Sequence, residues 1–104
     1  MGLLSFLFGI SSSKQLAEAV KSDCYLVDVR SRSEFATGSV KGAINIPVEN
    51  IPTQAEKLKD KKPVILFCRS GARSGHAKGI LEKKGFEQVI NGGSWKAVKK
   101  AVEK

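Results

Sequence analysis

Cys68 is followed by Arg69 and Arg73, with Ser70, Gly71 and Ala72 between them, in the stretch "FCRSGARSG" (67–75). A thiol acts as a nucleophile in its thiolate form. Gly71 and its small neighbours let successive backbone N–H groups turn toward one point, forming a nest that binds an anion. A helix opening near Arg73 or Ser74 would aim its positive end at the same point. The two guanidinium groups add charge and forked donors. Each feature stabilises the ionised sulfur. Cys68 is therefore expected to be the catalytic residue, ionised near neutral pH. Arg69, Ser70, Gly71, Ala72 and Arg73 are expected to hold an anionic substrate, with Ser74 in support.

The remaining inventory narrows the chemistry. His76 is the only histidine and falls in the helix after the loop, so no Cys–His pair of the kind used in peptide hydrolysis is in view. An already ionised thiol needs no base if the leaving group is a stable anion. Transfer of sulfur, or of a phosphoryl-like group, from an anionic donor meets that condition. Cys24, the other cysteine, begins an apolar run without cationic or glycine-rich neighbours and reads as core. Two distant cysteines and one histidine make no metal site, and neither metal nor cofactor is expected. The low cysteine count argues against a disulfide scaffold and for a reducing, cytoplasmic setting.

The elements that must position this loop follow from the hydrophobic pattern. A length of 104 residues suits one domain, 1–104. "SSKQ" (12–15) and "SRSE" (31–34) are capping boxes that open helices, and Gly38 can end the second by taking positive φ. "CYLVDV" (24–29), "AINIP" (43–47) and "QVI" (88–90) read as strands, and "ENIPTQAEKLKD" (49–60) reads as a helix with Pro52 in its first turn. "PVILF" (63–67) is apolar at every position, as for a strand buried on both faces. Ala77, Ile80 and Leu81 mark a helix ending at Gly85, and Ser94 can cap a last helix whose face is Trp95, Val98 and Val102. Alternating strands and helices imply a mostly parallel sheet covered on both faces. Ligands bind such sheets beyond the carboxyl ends of the strands, where Cys68 falls.

The net charge is +8 with a pI near 9.7. The lysines are spread over helix faces and no nucleic-acid-binding motif accompanies them, so nucleic acid is not expected as a partner. "MGLLSFLFGI" (1–10) is apolar but only half the roughly 20 residues of a membrane span. It lacks a basic n-region, and Phe6 stands where a myristoylation signal wants Ser or Thr. It reads as a first strand or an apolar flap on the core, with a partner or membrane contact as the alternative.

Three stretches together resemble the single-domain form of the rhodanese-like family. They are "LVDVRSRSEFATGSVKGAINIP" (26–47), "CRSGARS" (68–74) and "GFEQVINGGSW" (85–95). The resemblance implies an α/β three-layer sandwich around a central, mostly parallel sheet. It also implies a thiosulfate sulfurtransferase without cofactor. Cys68 would take the outer sulfur of thiosulfate or a similar small anionic donor as a persulfide. Cyanide, a thiol or a partner protein would then accept it. Asp28, in "VDVR", would help shape the loop. Ser39 and Lys41 stand where the family commonly has His and Pro, and Trp95 lies closer to the glycine pair than is usual. Two other readings stay open. One is a phosphatase or arsenate reductase on the same fold, whose loops resemble Cys-x5-Arg where this chain has Cys-x4-Arg. The other is a non-catalytic or sulfur-carrier interaction module.

Overall fold

A computed structural model of the chain describes residues 14–60 and 62–104. The expected apolar strand or flap at 1–10, and Ser12 and Ser13 of the first capping box, lie outside the described residues. Residues 14–19 are helical (α1). The order continues as β1 (Tyr25–Asp28), α2 (Arg32–Ala36), β2 (Ile44–Asn45), α3 (Ile51–Gln54), β3 (Val64–Cys68), α4 (Ala72–Lys83), β4 (Val89–Ser94) and α5 (Trp95–Val102). The strands form one sheet in the order β2-β1-β3-β4, and every pairing is parallel.

Strand alternation explains the layers. On β3, Val64, Leu66 and Cys68 face one side, where Ile51, Ala55 and Leu58 join Ala77 and Leu81 of α4. Ile65 and Phe67 face the other, against Leu16 of α1 and Val98 of α5. All five residues of β3 are buried, as the unbroken apolar run predicted. Each large side chain buried in this way contributes roughly 1.5–3 kcal/mol. The central strand thus supplies much of the sheet's cohesion and also carries Cys68 at its end.

Two expectations are corrected. Residues 49–60 do not form one helix. They wind as a 3-10 turn (Val48–Asn50), the short α3, and a second 3-10 turn (Ala55–Leu58). Pro52 does sit in the first turn of α3. No side chain caps any of the three pieces, and the buried residues Ile51, Ala55 and Leu58 follow spacings that either helix type can satisfy. The last strand also runs beyond "QVI", through Asn91, Gly92 and Gly93 to Ser94. Its glycines hide it from a propensity reading. The capping box at Ser31–Glu34 forms as expected, and Ser94 caps α5 by accepting the Ala97 N–H. Among the described residues no helix is long and apolar enough to cross a membrane.

Candidate active site

The site is built where β3 turns into α4. Cys68 is the last residue of β3, and Gly71, at φ 98°, is the N-cap of α4. The turn must pass close to β4: a Cβ on Gly71 would lie 3.3 Å from the Gly93 Cα. At Gly92 a Cβ would meet the Val98 side chain at 2.6 Å, and the β3–β4 register shifts between Leu66 and Phe67 beside it. Gly92 is therefore a packing requirement that lets α5 settle on the sheet. Gly93 is required by its backbone instead: at φ 85° it takes the left-handed conformation that favours glycine, with open space where a Cβ would stand.

The Cys68 side chain is fully buried. Its sulfur accepts the Gly71 N–H at 3.0 Å and lies 3.5 Å from the Ser74 hydroxyl. Burial pushes the thiol up. Hydrogen bonds from the Ser74 hydroxyl and from the N–H groups of Ser74, Ser70 and Gly71 outweigh it and bring the pKa to about 7. The thiolate thus rests on backbone amides and one serine at the start of α4, more than on the arginines. Cys24 is the opposite case: burial, and secondarily the nearby Asp23, hold its thiol above its usual range.

A brace stands behind this cradle. Asn91 Oδ1 accepts the Ser74 hydroxyl at 2.7 Å and the Gly93 N–H at 3.0 Å, and its Nδ2 donates to the Gly71 carbonyl at 3.1 Å. One side chain of β4 therefore fixes the loop, the serine and the glycine pair. The single Ser74 proton has two acceptors. On a neutral Cys68 it can stay with Asn91 while the S–H donates to Ser74. Ionisation draws it toward sulfur. Ser74→Ala should remove a stabiliser of the thiolate, so the pKa should rise and the alkylation–pH curve should move to higher pH. Thiolate absorbance in the native protein should reach half its full change near pH 7, and a native midpoint left unmoved in Ser74→Ala would contradict this account.

Asp28 does not touch the cysteine loop directly. Its carboxylate is fully buried and accepts Arg30 Nη2 at 2.7 Å and Nε at 3.0 Å, with the Ser39 hydroxyl at 2.6 Å. Arg30 Nη2 also donates to the Gly38 carbonyl at 2.6 Å, and the guanidinium stacks 4.9 Å from the Trp95 ring centroid. Arg30 and Trp95 thereby form the floor of a mouth beside the loop. This cavity of about 400 Å³ is lined by Arg30, Glu34, Arg69, Trp95 and Lys96. Arg69, Ser70 and Ala72 are exposed on the rim, and His76 is exposed on α4.

Arg73 forks onto Glu34, with Nη1–Oε1 at 2.7 Å and Nη2–Oε2 at 3.1 Å. Sequence reasoning did not single out Arg30, Glu34, Asn91 or Lys96 as site residues. Only Arg30, charged yet directly following the apolar run of β1, carried a usable signal. Among the described residues no group of three His, Cys, Asp or Glu side chains could hold a metal ion.

A family model described as "Rhodanese-like domain" matches residues 12–101. The chain is 36% identical over 81 residues to a protein named sulfurtransferase from Allochromatium vinosum, a match covering 78% of this chain and 74% of that one. It is 35% identical over 74 residues to thiosulfate sulfurtransferase PspE of Escherichia coli, covering 69% and 71%. A solved structure titled "rhodanese with anions from E. coli" superposes with a TM-score of 0.67 at 36% identity, over 71% of this chain and 89% of that one.

Proposed function

The chain belongs to the rhodanese-like family, and from that premise we propose that it transfers a sulfane sulfur through a persulfide on Cys68. The observation that carries this reading is a fully buried thiol at the end of the central strand, whose sulfur accepts the Gly71 N–H at 3.0 Å and lies 3.5 Å from the Ser74 hydroxyl, in a loop whose hydrogen bonds bring its pKa down to about 7. In the proposed cycle the Cys68 thiolate attacks the outer sulfur of thiosulfate or a similar small anion. The S–S bond of the donor breaks and sulfite leaves with its electron pair. The loop amides that held the thiolate then face the persulfide. A thiolate or cyanide attacks the outer sulfur, the Cys–S bond to it breaks, and the Cys68 thiolate returns. Neither half needs a general base, which suits a loop whose nearest histidine is an exposed residue of α4.

Because Cys68 is fully buried, the rim must part for a donor to reach it, and Arg69 and Ser70 are the exposed residues that can give way. A phosphatase reading is less well served. A loop that binds a tetrahedral oxyanion needs its arginine fork turned to the anion, and here the fork of Arg73 is on Glu34. The natural acceptor in this proposal is a small thiol or a protein thiol in a reducing compartment.

Intact-mass analysis tests the proposal. Incubation with thiosulfate should add the mass of one sulfur atom, located by peptide mapping at Cys68, and a later thiol should remove it. No adduct across a range of thiosulfate and thiosulfonate donors would overturn the reading.

A further inference from the structure

The mouth beside the cysteine loop is rich in cations, yet most of their charge is already answered. Arg30 is neutralised by Asp28. Arg73, behind the rim, is neutralised by Glu34. Arg69 and Lys96 also line the cavity, and among the described residues neither has a carboxylate within ion-pair distance. The Lys96 ammonium lies 5.8 Å from the Trp95 ring centroid, and that ring also receives the Arg30 guanidinium. Two positive charges thus remain unneutralised around one cavity.

We propose that Glu34 is a specificity-determining residue: by occupying the Arg73 fork, it leaves Arg69 and Lys96 as the two cations that receive a dianionic donor. The inference rests on the sulfurtransferase reading for the identity of that dianion, and on the ion pairs alone for the charge arrangement.

Glu34 is firmly held for this role. Its carboxylate also accepts the Ser31 N–H and the Ser31 hydroxyl, each at 3.0 Å, within the capping box of α2. Arg73 first, and Ser31 after it, hold the carboxyl at about 2, so it is charged across the working pH range. An incoming anion would have to displace a bidentate carboxylate to use Arg73, whereas Arg69 and Lys96 cost no such displacement.

The consequence is a particular pattern of charge effects. Arg73→Ala uncovers a carboxylate at the mouth and should repel anions. Glu34→Gln keeps the capping box, which accepts Gln at this position, and should free the Arg73 charge. Removing both should nearly cancel. The rates at which iodoacetate and iodoacetamide alkylate Cys68, followed by peptide mass, measure this directly. Both reagents need the same thiolate and the same access, so their ratio reports the potential at the sulfur.

Relative to native protein, Glu34→Gln should raise the iodoacetate-to-iodoacetamide ratio about two- to fivefold at low salt. Arg73→Ala and Lys96→Gln should each lower it by about the same factor, and Glu34→Gln/Arg73→Ala should lie within about twofold of native. The KM for thiosulfate should move inversely. If the double variant stays as low as Arg73→Ala, Arg73 itself contacts the anion and the role given to Glu34 is overturned. An unchanged ratio in Glu34→Gln overturns it equally. A native protein that forms no persulfide but shows this pattern of ratios would sink the sulfurtransferase reading and leave the charge arrangement standing.

Discussion

Cys68→Ser is expected to form no persulfide and to lose at least about a thousandfold in thiosulfate:cyanide turnover, the scale on which removal of a nucleophile registers. The serine would inherit the same cradle, since the Gly71 N–H and the Ser74 hydroxyl would still point at its oxygen. A hydroxyl, however, stays protonated where a thiol with a pKa of about 7 is half ionised. Hydrogen bonds that suffice for sulfur do not suffice for oxygen. Cys24→Ser should keep most of the turnover, because the Cys24 thiol is half-buried and held above its usual range by burial and Asp23. Thiocyanate formation and intact mass on both variants decide the matter. Substantial turnover in Cys68→Ser would remove the sulfur from the mechanism.

The largest stability loss should come from Arg30→Ala. Asp28 and Arg30 are 0% and 4% exposed, and removing one partner of a buried ion pair typically costs about 3–5 kcal/mol. The Asp28 carboxylate would keep only the Ser39 hydroxyl and the Arg30 backbone N–H as donors. The Gly38 carbonyl and the Trp95 ring would lose their contact as well. Urea unfolding should show the midpoint falling sharply with little change in slope. Asp28→Asn/Arg30→Met should recover part of the loss, because it removes the uncompensated charge rather than exposing it. A loss below about 1 kcal/mol in Arg30→Ala, the range of an exposed pair, would mean that water reaches the site.

Much of this was legible in one dimension. The unbroken apolar run before Cys68 marked the central strand, and the order of helices and strands gave a parallel sheet with the loop at its carboxyl end. The capping box at Ser31–Glu34 and the Ser94 cap are local chemistry, so they could be located without knowing the fold. What stayed hidden depends on partners distant in sequence. Glu34 and Arg73 are 39 residues apart, and a capping-box glutamate gives no sign that its second oxygen will take an arginine. Asn91 fell just past the expected strand at 88–90, directly before two glycines. Its position opposite Leu66 follows from the strand register, which no local pattern states. The sequence did point to an ionised Cys68 and to the turned amides of its loop; it credited the two arginines alongside them, where the amides and Ser74 carry the effect.

The cradle of Cys68 also divides labour in a way that matters for making new variants. Sulfur is held by main-chain N–H groups and by Ser74, and the loop is clipped from behind by Asn91. The side chains of Arg69, Ser70 and Ala72 project from the outer rim. Nature or an engineer can therefore rewrite the rim, trading guanidinium for apolar or acidic groups, without touching the groups that ionise the thiol. Under the proposed function, reactivity and partner choice are separately inheritable here: one rests on loop amides with Ser74 and Asn91 behind them, the other on exposed side chains free to diverge.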